Sequence, residues 1–365
     1  MTTNVVVSEQ PKQLRFKEYK RWLRVTLYTI LLLTGQCTAT LLGRLYFDKG
    51  GKSRWTASFV QSAGFPILLP LLFYSQKHAK STKHPNIDSC KTKPKPSMIC
   101  SFYLAFGLMM TAMDLLYAYG LQYLPLSTFT LVCASQLGFN AIFTFFLNSQ
   151  KLTALIFNSI VVLTISVALL AINTESEDTK HLPKEKQIIG FFCSLAASAT
   201  FSLHHSLLQI YFEKVIKTET LSAVMNMNFY PMLIATCGGS VGLVASGDWK
   251  NLQTEMKEFE NGRVSYVMTL VWTAVMWQIA CIGMLGLIFE VSSLFSTVIG
   301  NLELTITPIL AVMGFGDKIC RVKVIAFLLA IWGFLSYIYQ HYLDDQKNKE
   351  NRSNGLEFSK GEEQI

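Results

Sequence analysis

The sequence predicts an all-α, polytopic membrane protein whose ten transmembrane helices form two inverted five-helix repeats. The chain has 365 residues, of which 51% are hydrophobic and only 15% are charged, whereas soluble domains carry about 25% charged residues. Its charges lie in short islands between apolar runs, and these runs approach the roughly 20 residues that cross a bilayer as a helix. A polar-centred apolar segment also occurs twice, at residues 127–148 and 292–313. Together these features indicate a membrane protein with an internal repeat.

Ten spans follow one another along the chain and divide it into two halves. They cover residues 22–47, 55–74, 98–119, 126–147, 152–173, 187–212, 221–246, 264–289, 291–314 and 321–342. The first repeat is residues 22–173, the loop is 174–186 and the second repeat is 187–343, with tails at 1–21 and 344–365. Pro66, Pro231 and Pro308 lie within spans, where the missing backbone donor favours a kink.

The distribution of Lys and Arg over the loops predicts the orientation. With the N-terminus inside, the cytoplasmic segments carry eighteen of these residues and the opposite side carries eleven. This excess follows the positive-inside rule, so both tails are expected to be cytoplasmic. The expected location is the plasma membrane, with an internal membrane as the alternative. The net charge of +8 lies in flanks and loops, where it meets anionic lipid. Since no nucleic-acid recognition module accompanies it, we expect no nucleic-acid partner.

The internal repeat has a constant offset of 165 residues. At this offset Tyr46-Phe47 aligns with Tyr211-Phe212, Phe65-Pro66 aligns with Tyr230-Pro231, and Gln136 aligns with Asn301. Because each half has an odd number of helices, the second half enters the membrane in the opposite direction. Inverted repeats place a substrate near the bilayer midplane and favour transport by alternating access.

Polar amides occupy the middles of several spans. An amide buried in hydrocarbon without a partner costs roughly 2–7 kcal/mol, so each must face protein, water or a ligand. A single one can simply bond to a neighbouring helix, but five at similar depth favour a shared cavity. A side-chain amide can also pair with the N6/N7 edge of adenine. The predicted substrate-binding amides are Gln36, Gln136, Asn140, Gln278 and Asn301.

Aromatic and acidic residues within the spans complete the predicted site. Tyr117 and Trp272 are candidates for stacking on a ring, although core packing is an alternative for both. Asp114 and Glu303 are acids within spans, and an ionisable group at such depth is a candidate for proton coupling. Lys and Arg are absent from the middles of the spans, which disfavours a phosphorylated substrate.

The sequence offers no sign of catalysis or of a bound cofactor. The eight cysteines form no CxxC pair and are interpreted as reduced apolar side chains. His204 and His205 are adjacent and lack metal-ligand spacing. No nucleophile–base pair, phosphate-binding loop or metal cluster is recognisable. We therefore predict no catalytic residue, no metal and no cofactor.

Several segments resemble the plant purine permeases of the drug/metabolite transporter superfamily. The resemblance covers roughly residues 22–343 and is carried by LLGRLYFDKGGKSRW, SAGFPILLP, YGLQYLPLST, CASQLGFN, FFLNSQK, SYVMTLVWTAVMWQ, GLIFEVSSLFS and AIWGFLSYIYQHYL. It implies ten helices in two inverted halves and proton-coupled uptake of adenine, cytokinins or related alkaloids. The chain departs from the family pattern at Asp114, where the family has an amide, and at Glu303, where it has a small Gly-containing stretch.

The sequence thus predicts an importer that moves a small nitrogen heterocycle together with protons through the lipid bilayer. One alternative is a nucleotide-sugar or organophosphate carrier of the same superfamily. Another is a polytopic membrane protein that transports nothing.

Overall fold

The computed structural model describes most of the chain and is helical throughout its regular structure. The described residues are 10–74, 96–148, 153–173, 183–216, 221–260, 262–290, 296, 299–315 and 321–362. Every element assigned within them is a helix. The all-α prediction is therefore confirmed.

Twelve α-helices are numbered here in chain order. Their bounds are α1 Gln10–Asp48, α2 Arg54–Ala63, α3 Pro96–Tyr123, α4 Leu126–Cys133, α5 Gln136–Asn148, α6 Ala154–Asn173, α7 Lys184–Ile210, α8 Leu221–Ala245, α9 Leu252–Glu258, α10 Gly262–Glu290, α11 Glu303–Phe315 and α12 Arg321–Glu362. A π-helical turn, Tyr211–Ile216, continues α7, and short 3₁₀ turns occur at Phe65–Leu68 and Asp248–Lys250.

Seven of the described helical segments are long and apolar enough to cross a membrane. They are Tyr19–Asp48, Arg54–Tyr74, Pro96–Tyr123, Leu126–Leu147, Lys184–Ile216, Ser222–Ala245 and Gly262–Ile288. Ala154–Ser166 and Val324–Gln340 are shorter apolar helices, and the predicted span 291–314 begins at residues outside the described part. Large apolar side chains such as Phe146, Val241 and Trp332 project outward. Such an apolar exterior suits lipid and not water.

Several helices are interrupted where the sequence predicts continuous spans. The 3₁₀ turn Phe65–Leu68 contains Pro66 and follows α2. Because proline lacks a backbone N–H donor, it favours an interruption of the α-helix at this point. Residues 134–135 form a turn between α4 and α5, and Leu302 forms a turn before α11. Neither of these two breaks contains Gly or Pro, so the sequence did not predict them. Local hydrogen bonds tighten both turns, from Ser135 N to Val132 O and from Leu302 N to Ile299 O.

The helices also extend into the predicted tails. α1 begins at Gln10, within the segment 1–21, and α12 runs to Glu362, through most of the segment 344–365. The tails are thus largely helical continuations of the first and last spans.

Glycines bring α1 and α10 into backbone contact along their length. A Cβ on Gly35 would lie 2.6 Å from Ala280 N, and a Cβ on Gly283 would lie 2.5 Å from Leu32 N. Small residues at such positions are how membrane helices pack closely. α3 and α7 are similarly close, since a Cβ on Gly120 would overlap the Ser194 hydroxyl. The remaining main contacts pair α6 with α12, α3 with α8, α5 with α7, α2 with α8 and with α3, and α4 with α11.

Polar contacts fasten both ends of the bundle. Near the start of the apolar part of α1, Arg24 forms a 2.6 Å ion pair with Glu290 at the end of α10. Where α1 ends, the segment around α9 is held by Lys49–Glu260 at 2.7 Å and Lys52–Glu258 at 2.8 Å.

The contact between α9 and α1 also involves a buried carboxylate. Tyr46 donates a hydrogen bond to the buried Glu255 of α9. The hydrogen bond to Glu258 raises the pKa of Lys52. The α9 segment therefore covers the end of the bundle where α1 stops.

Substituting Gly283 by Ala should destabilise the protein by about 1–3 kcal/mol, because the new methyl group meets the backbone of α1. Thermal unfolding in detergent, followed by size-exclusion chromatography after heating, measures this loss. Gly314→Ala is the matched control, since nothing lies within 4 Å of a Cβ at that position. Equal melting temperatures for the two variants would contradict the close contact.

Candidate functional site

A cavity of about 130 Å³ lies among helices from both halves of the chain. One water needs roughly 10–15 Å³, so the cavity can hold several waters or a small ring. Its walls come from α1, α2, α3, α4 and α5 of the first half and from α7, α10 and α11 of the second. Among the described residues that line it, Glu303 is the one carboxylate, and Lys and Arg are absent.

Two amides from opposite halves hydrogen-bond to each other in the wall of this cavity. Gln136 Nε2 donates to Asn301 Oδ1 at 2.7 Å, across a sequence separation of 165 residues. Both side chains are buried, at 7% and 5% exposed. The bond uses one end of each amide and leaves Gln136 Oε1 as an acceptor and Asn301 Nδ2 as a donor. The pair therefore offers a donor and an acceptor to a third group.

The two amides stand at the two helix breaks. Gln136 is the first residue of α5, after the turn at 134–135, and Asn301 precedes the turn at Leu302. Ser202 of α7 donates to the backbone oxygen of Gln136 at 2.6 Å, which holds the start of α5 in place. Discontinuous helices that meet at mid-membrane are a recurring way of building transporter binding sites.

Gln36 of α1 contributes an unsatisfied acceptor to the same cavity. Its Oε1 is buried and has no hydrogen-bond partner among the described residues. A buried acceptor without a partner costs about 1–3 kcal/mol. A ligand N–H group in the cavity would remove that cost.

The carboxylate of Glu303 is held by hydroxyl groups. Its Oε1 accepts from Thr40 Oγ1 of α1 at 2.7 Å and from Thr307 Oγ1 at 3.5 Å. Glu303 is 8% exposed, and no described Lys or Arg lies within ion-pair distance of it. The nearby Arg44 is engaged elsewhere, since its Nη1 donates to Leu121 O and Leu124 O at 2.7 and 2.6 Å.

Aromatic rings form the apolar part of the cavity. Tyr117 of α3 and Phe129 of α4 pack edge to face with ring centroids 5.9 Å apart, and both line the cavity together with Trp277 of α10. Trp272, one and a half turns earlier on α10, is 49% exposed on the outside of the bundle. Of the two tryptophans, Trp277 therefore faces the cavity and Trp272 does not.

Five of the nine predicted site residues line the cavity, and four lie elsewhere. The five are Gln36, Tyr117, Gln136, Asn301 and Glu303. Asn140 instead donates to the Tyr337 hydroxyl at 2.7 Å, and the fully buried Gln278 lies against Met232, at 3.8 Å from its sulfur. Asp114 is buried at 6% exposed, and it lies outside the cavity lining, as Trp272 does.

Sequence reasoning did not assign several polar residues of the lining to the site. They are Thr40, Tyr46, Gln61, Thr130, His205, Thr273 and Ser296. His205 was considered only as a metal ligand. One signal was present, because Thr40 and His205 are separated by the repeat offset of 165 residues, as are Gln36 and Phe201. All four line the cavity.

Comparison with a family model and comparison with individual proteins point to the same family. A family model described as purine nucleobase transmembrane transport matches residues 23–347. Probable purine permease 10 of Arabidopsis thaliana is 51% identical over 348 residues, covering 95% of this chain and 88% of the relative. Purine permease 21 of the same plant is 49% identical over 347 residues, covering 95% and 87%. Probable purine permease 11 is 46% identical and covers 93% and 88%.

The amide pair should behave as a coupled unit in stability measurements. Gln136→Leu leaves Asn301 without its partner and should cost about 1–3 kcal/mol. In the double variant Gln136→Leu/Asn301→Leu neither amide remains, so the loss should be smaller than the sum of the single losses by about 0.6–1.7 kcal/mol. Unfolding of the four proteins in detergent measures this difference, and strictly additive losses would contradict the bond.

Proposed function

The chain belongs to the purine permease family of membrane purine transporters, and we propose that it imports purine nucleobases or related nitrogen heterocycles together with protons. Cytokinins, which are substituted adenines, and alkaloid-type bases are included in this cargo class. The relatives are named permeases, and the protein is a transporter and not an enzyme. The rest of the proposal concerns how the cavity could perform this transport.

The observation that carries the proposal is the amide pair in the cavity wall. Gln136 Oε1 and Asn301 Nδ2 stay available after the two side chains bond to each other. An acceptor beside a donor matches the N6/N7 edge of adenine, which presents a donor beside an acceptor. Gln36 Oε1, a buried acceptor without a partner, would take a further ring N–H. These three amides would read the edge of the ring.

Stacking would supply the remaining affinity. Trp277, Tyr117 and Phe129 line the cavity on α10, α3 and α4. Base–aromatic stacking contributes about 1–3 kcal/mol per base and is tolerant of ring type. Such a site would accept adenine and substituted relatives, with selectivity left to the amides.

We further propose ten spans in two inverted repeats that work by alternating access. The repeat offset relates α1 to α7 and α3 to α10. An inverted repeat therefore requires that the packing of α1 on α10 be matched by packing of α7 on α3, and both contacts are present. Tyr46 and Phe47 pack edge to face with centroids 5.0 Å apart, and Tyr211 and Phe212 do so at 5.6 Å. The bond between Gln136 and its repeat counterpart Asn301 supports an axis of pseudosymmetry close to the cavity.

Proton coupling would use a carboxylate within the membrane. Glu303 is the better supported of the two predicted acids, because it lines the cavity and has no described cationic partner. Asp114 is buried one helical turn from Tyr117 on α3, outside the lining. The excess of basic residues on the N-terminal side supports cytoplasmic termini, and uptake from outside would place the protein in the plasma membrane.

The main rival is a carrier of nucleotide-sugars or organophosphates. Phosphate groups are bound by Arg and Lys, and the described lining of the cavity contains neither. Arg44 is occupied by the carbonyl groups at the end of α3. The charge of the cavity therefore favours a neutral or weakly basic guest. A membrane protein that transports nothing would show no counterflow of preloaded substrate in proteoliposomes.

Cells that express the chain should take up labelled adenine faster as the external pH falls, and a protonophore should abolish the increase. Unlabelled adenine, cytokinins and alkaloid bases compete in a parallel panel that ranks the cargo, with a nucleotide-sugar as the negative competitor. Uptake that changes neither with the external pH nor with the protonophore would contradict the proposed proton coupling. If no heterocycle in the panel is taken up, the proposed cargo class is wrong.

Trp277→Ala should raise the half-saturation concentration for adenine uptake, because a stacking face of the cavity is lost. The loss of about 1–3 kcal/mol corresponds to roughly 5- to 150-fold. Trp272→Ala is the matched control on the same helix, since that ring faces outward. Concentration-dependent uptake at fixed protein level measures both variants, and equal effects would contradict the assignment of Trp277.

A further inference from the structure

The hydrogen bond from Thr40 to Glu303 joins the two halves of the chain inside the cavity. Thr40 belongs to α1 and Glu303 to α11, and the donor and acceptor oxygens are 2.7 Å apart. Both side chains are buried, at 6% and 8% exposed, and both line the cavity. Any displacement of α1 from α11 must break this bond.

The surroundings of Glu303 make this bond sensitive to its charge. Among the described residues the hydrogen bonds to its carboxylate come from two hydroxyls, and Oε1 receives both. Thr307 lies on the same helix as Glu303, and its single proton is shared with Cys37 Sγ at 3.6 Å. The shorter bond and the contact between the halves thus belong to Thr40.

The titratable groups around this carboxylate are weak acids and one imidazole. They are Cys37 on α1, Tyr117 on α3, Cys133 on α4 and His205 on α7. No Lys or Arg from the described helices packed against α11 pairs with Glu303. The hydroxyl of Thr40 is therefore the main group that stabilises the ionised form.

We propose that Thr40 is a positioning residue through which the protonation state of Glu303 is passed from α11 to α1. A hydrogen bond to an ionised carboxylate is roughly twice as strong as one between neutral groups. With Glu303 ionised, α1 is held against α11. When Glu303 takes up a proton, the bond weakens and α1 can move away. This inference rests on the proposed proton coupling and names the contact that would transmit it.

The test is an infrared pH titration of the purified full chain in lipid nanodiscs. Glu303→Gln identifies the carboxyl band of Glu303, because that band is lost in this variant. Thr40→Val removes the donor with little change of volume, so the ionised form becomes less favourable and Glu303 keeps its proton to higher pH. We expect the titration midpoint to move upward by about one pH unit, which corresponds to about 1.4 kcal/mol.

The controls separate the hydroxyl from the packing. Thr40→Ser restores the donor and should bring the midpoint back towards that of the wild type. Thr34→Val makes the same substitution on the same helix, but Thr34 faces outward and bonds to its own backbone at Ile30 O, so its midpoint and uptake should equal those of the wild type. If Thr40→Val fails to fold, Thr40→Ala removes the same donor. A midpoint in Thr40→Val or Thr40→Ala that equals the wild type overturns the proposal.

Uptake measurements then connect the bond to transport. In Thr40→Val the pH profile of adenine uptake should move in the same direction and by a similar amount. A lower maximal rate at every pH with an unmoved profile would mean a structural role and would overturn the proposal. If the wild type takes up no adenine, the proposed cargo fails, while the infrared titration still decides the role of Thr40.

Discussion

The arrangement of the helices around the cavity depends on the hydrogen bond between Gln136 and Asn301 inside the bundle. Hydrocarbon offers an amide no partner, and an unpaired amide at that depth costs roughly 2–7 kcal/mol, so each side chain requires the other. Their 2.7 Å bond brings together the two places where helices are interrupted. Broken helices also free backbone groups, and such groups are tolerated within a membrane only where protein or a wet cavity satisfies them. The amide pair, the two breaks and the cavity are therefore parts of one arrangement.

The charged groups in the cavity lining limit the kind of ligand that it can bind. Glu303 is its carboxylate, and two threonine hydroxyls satisfy it in place of a cation. Arg44 of α1 is fixed on the carbonyl groups at the end of α3. A wall of amides, hydroxyls and aromatic rings suits a flat, neutral or weakly basic ring, which agrees with membership of a purine permease family. The same carboxylate, without a described cationic partner, is suited to accept a proton.

The sequence predicted the helical membrane fold and the residues that meet at the centre, but not the faces of individual helices. Gln136 and Asn301 could be found because a repeat with a fixed offset related them. Trp272, a predicted stacking residue, faces outward, and Asn140, a predicted substrate-binding amide, bonds to Tyr337. Both placements have one cause: lipid and protein core are both apolar, so composition along a helix does not distinguish its outer from its inner side. The breaks at 134–135 and 302 were missed because neither contains Gly or Pro.

The glycine contact between α1 and α10 has a consequence for the moving parts. Backbone atoms of the two helices approach too closely for a methyl group to fit between them, which favours their movement as one unit in the proposed transport. One helix comes from each half, and the close α3–α7 pair is mixed in the same way. In the alternating access proposed above, the units that move would therefore not be the two repeats. Each moving unit would combine helices from both halves of the chain.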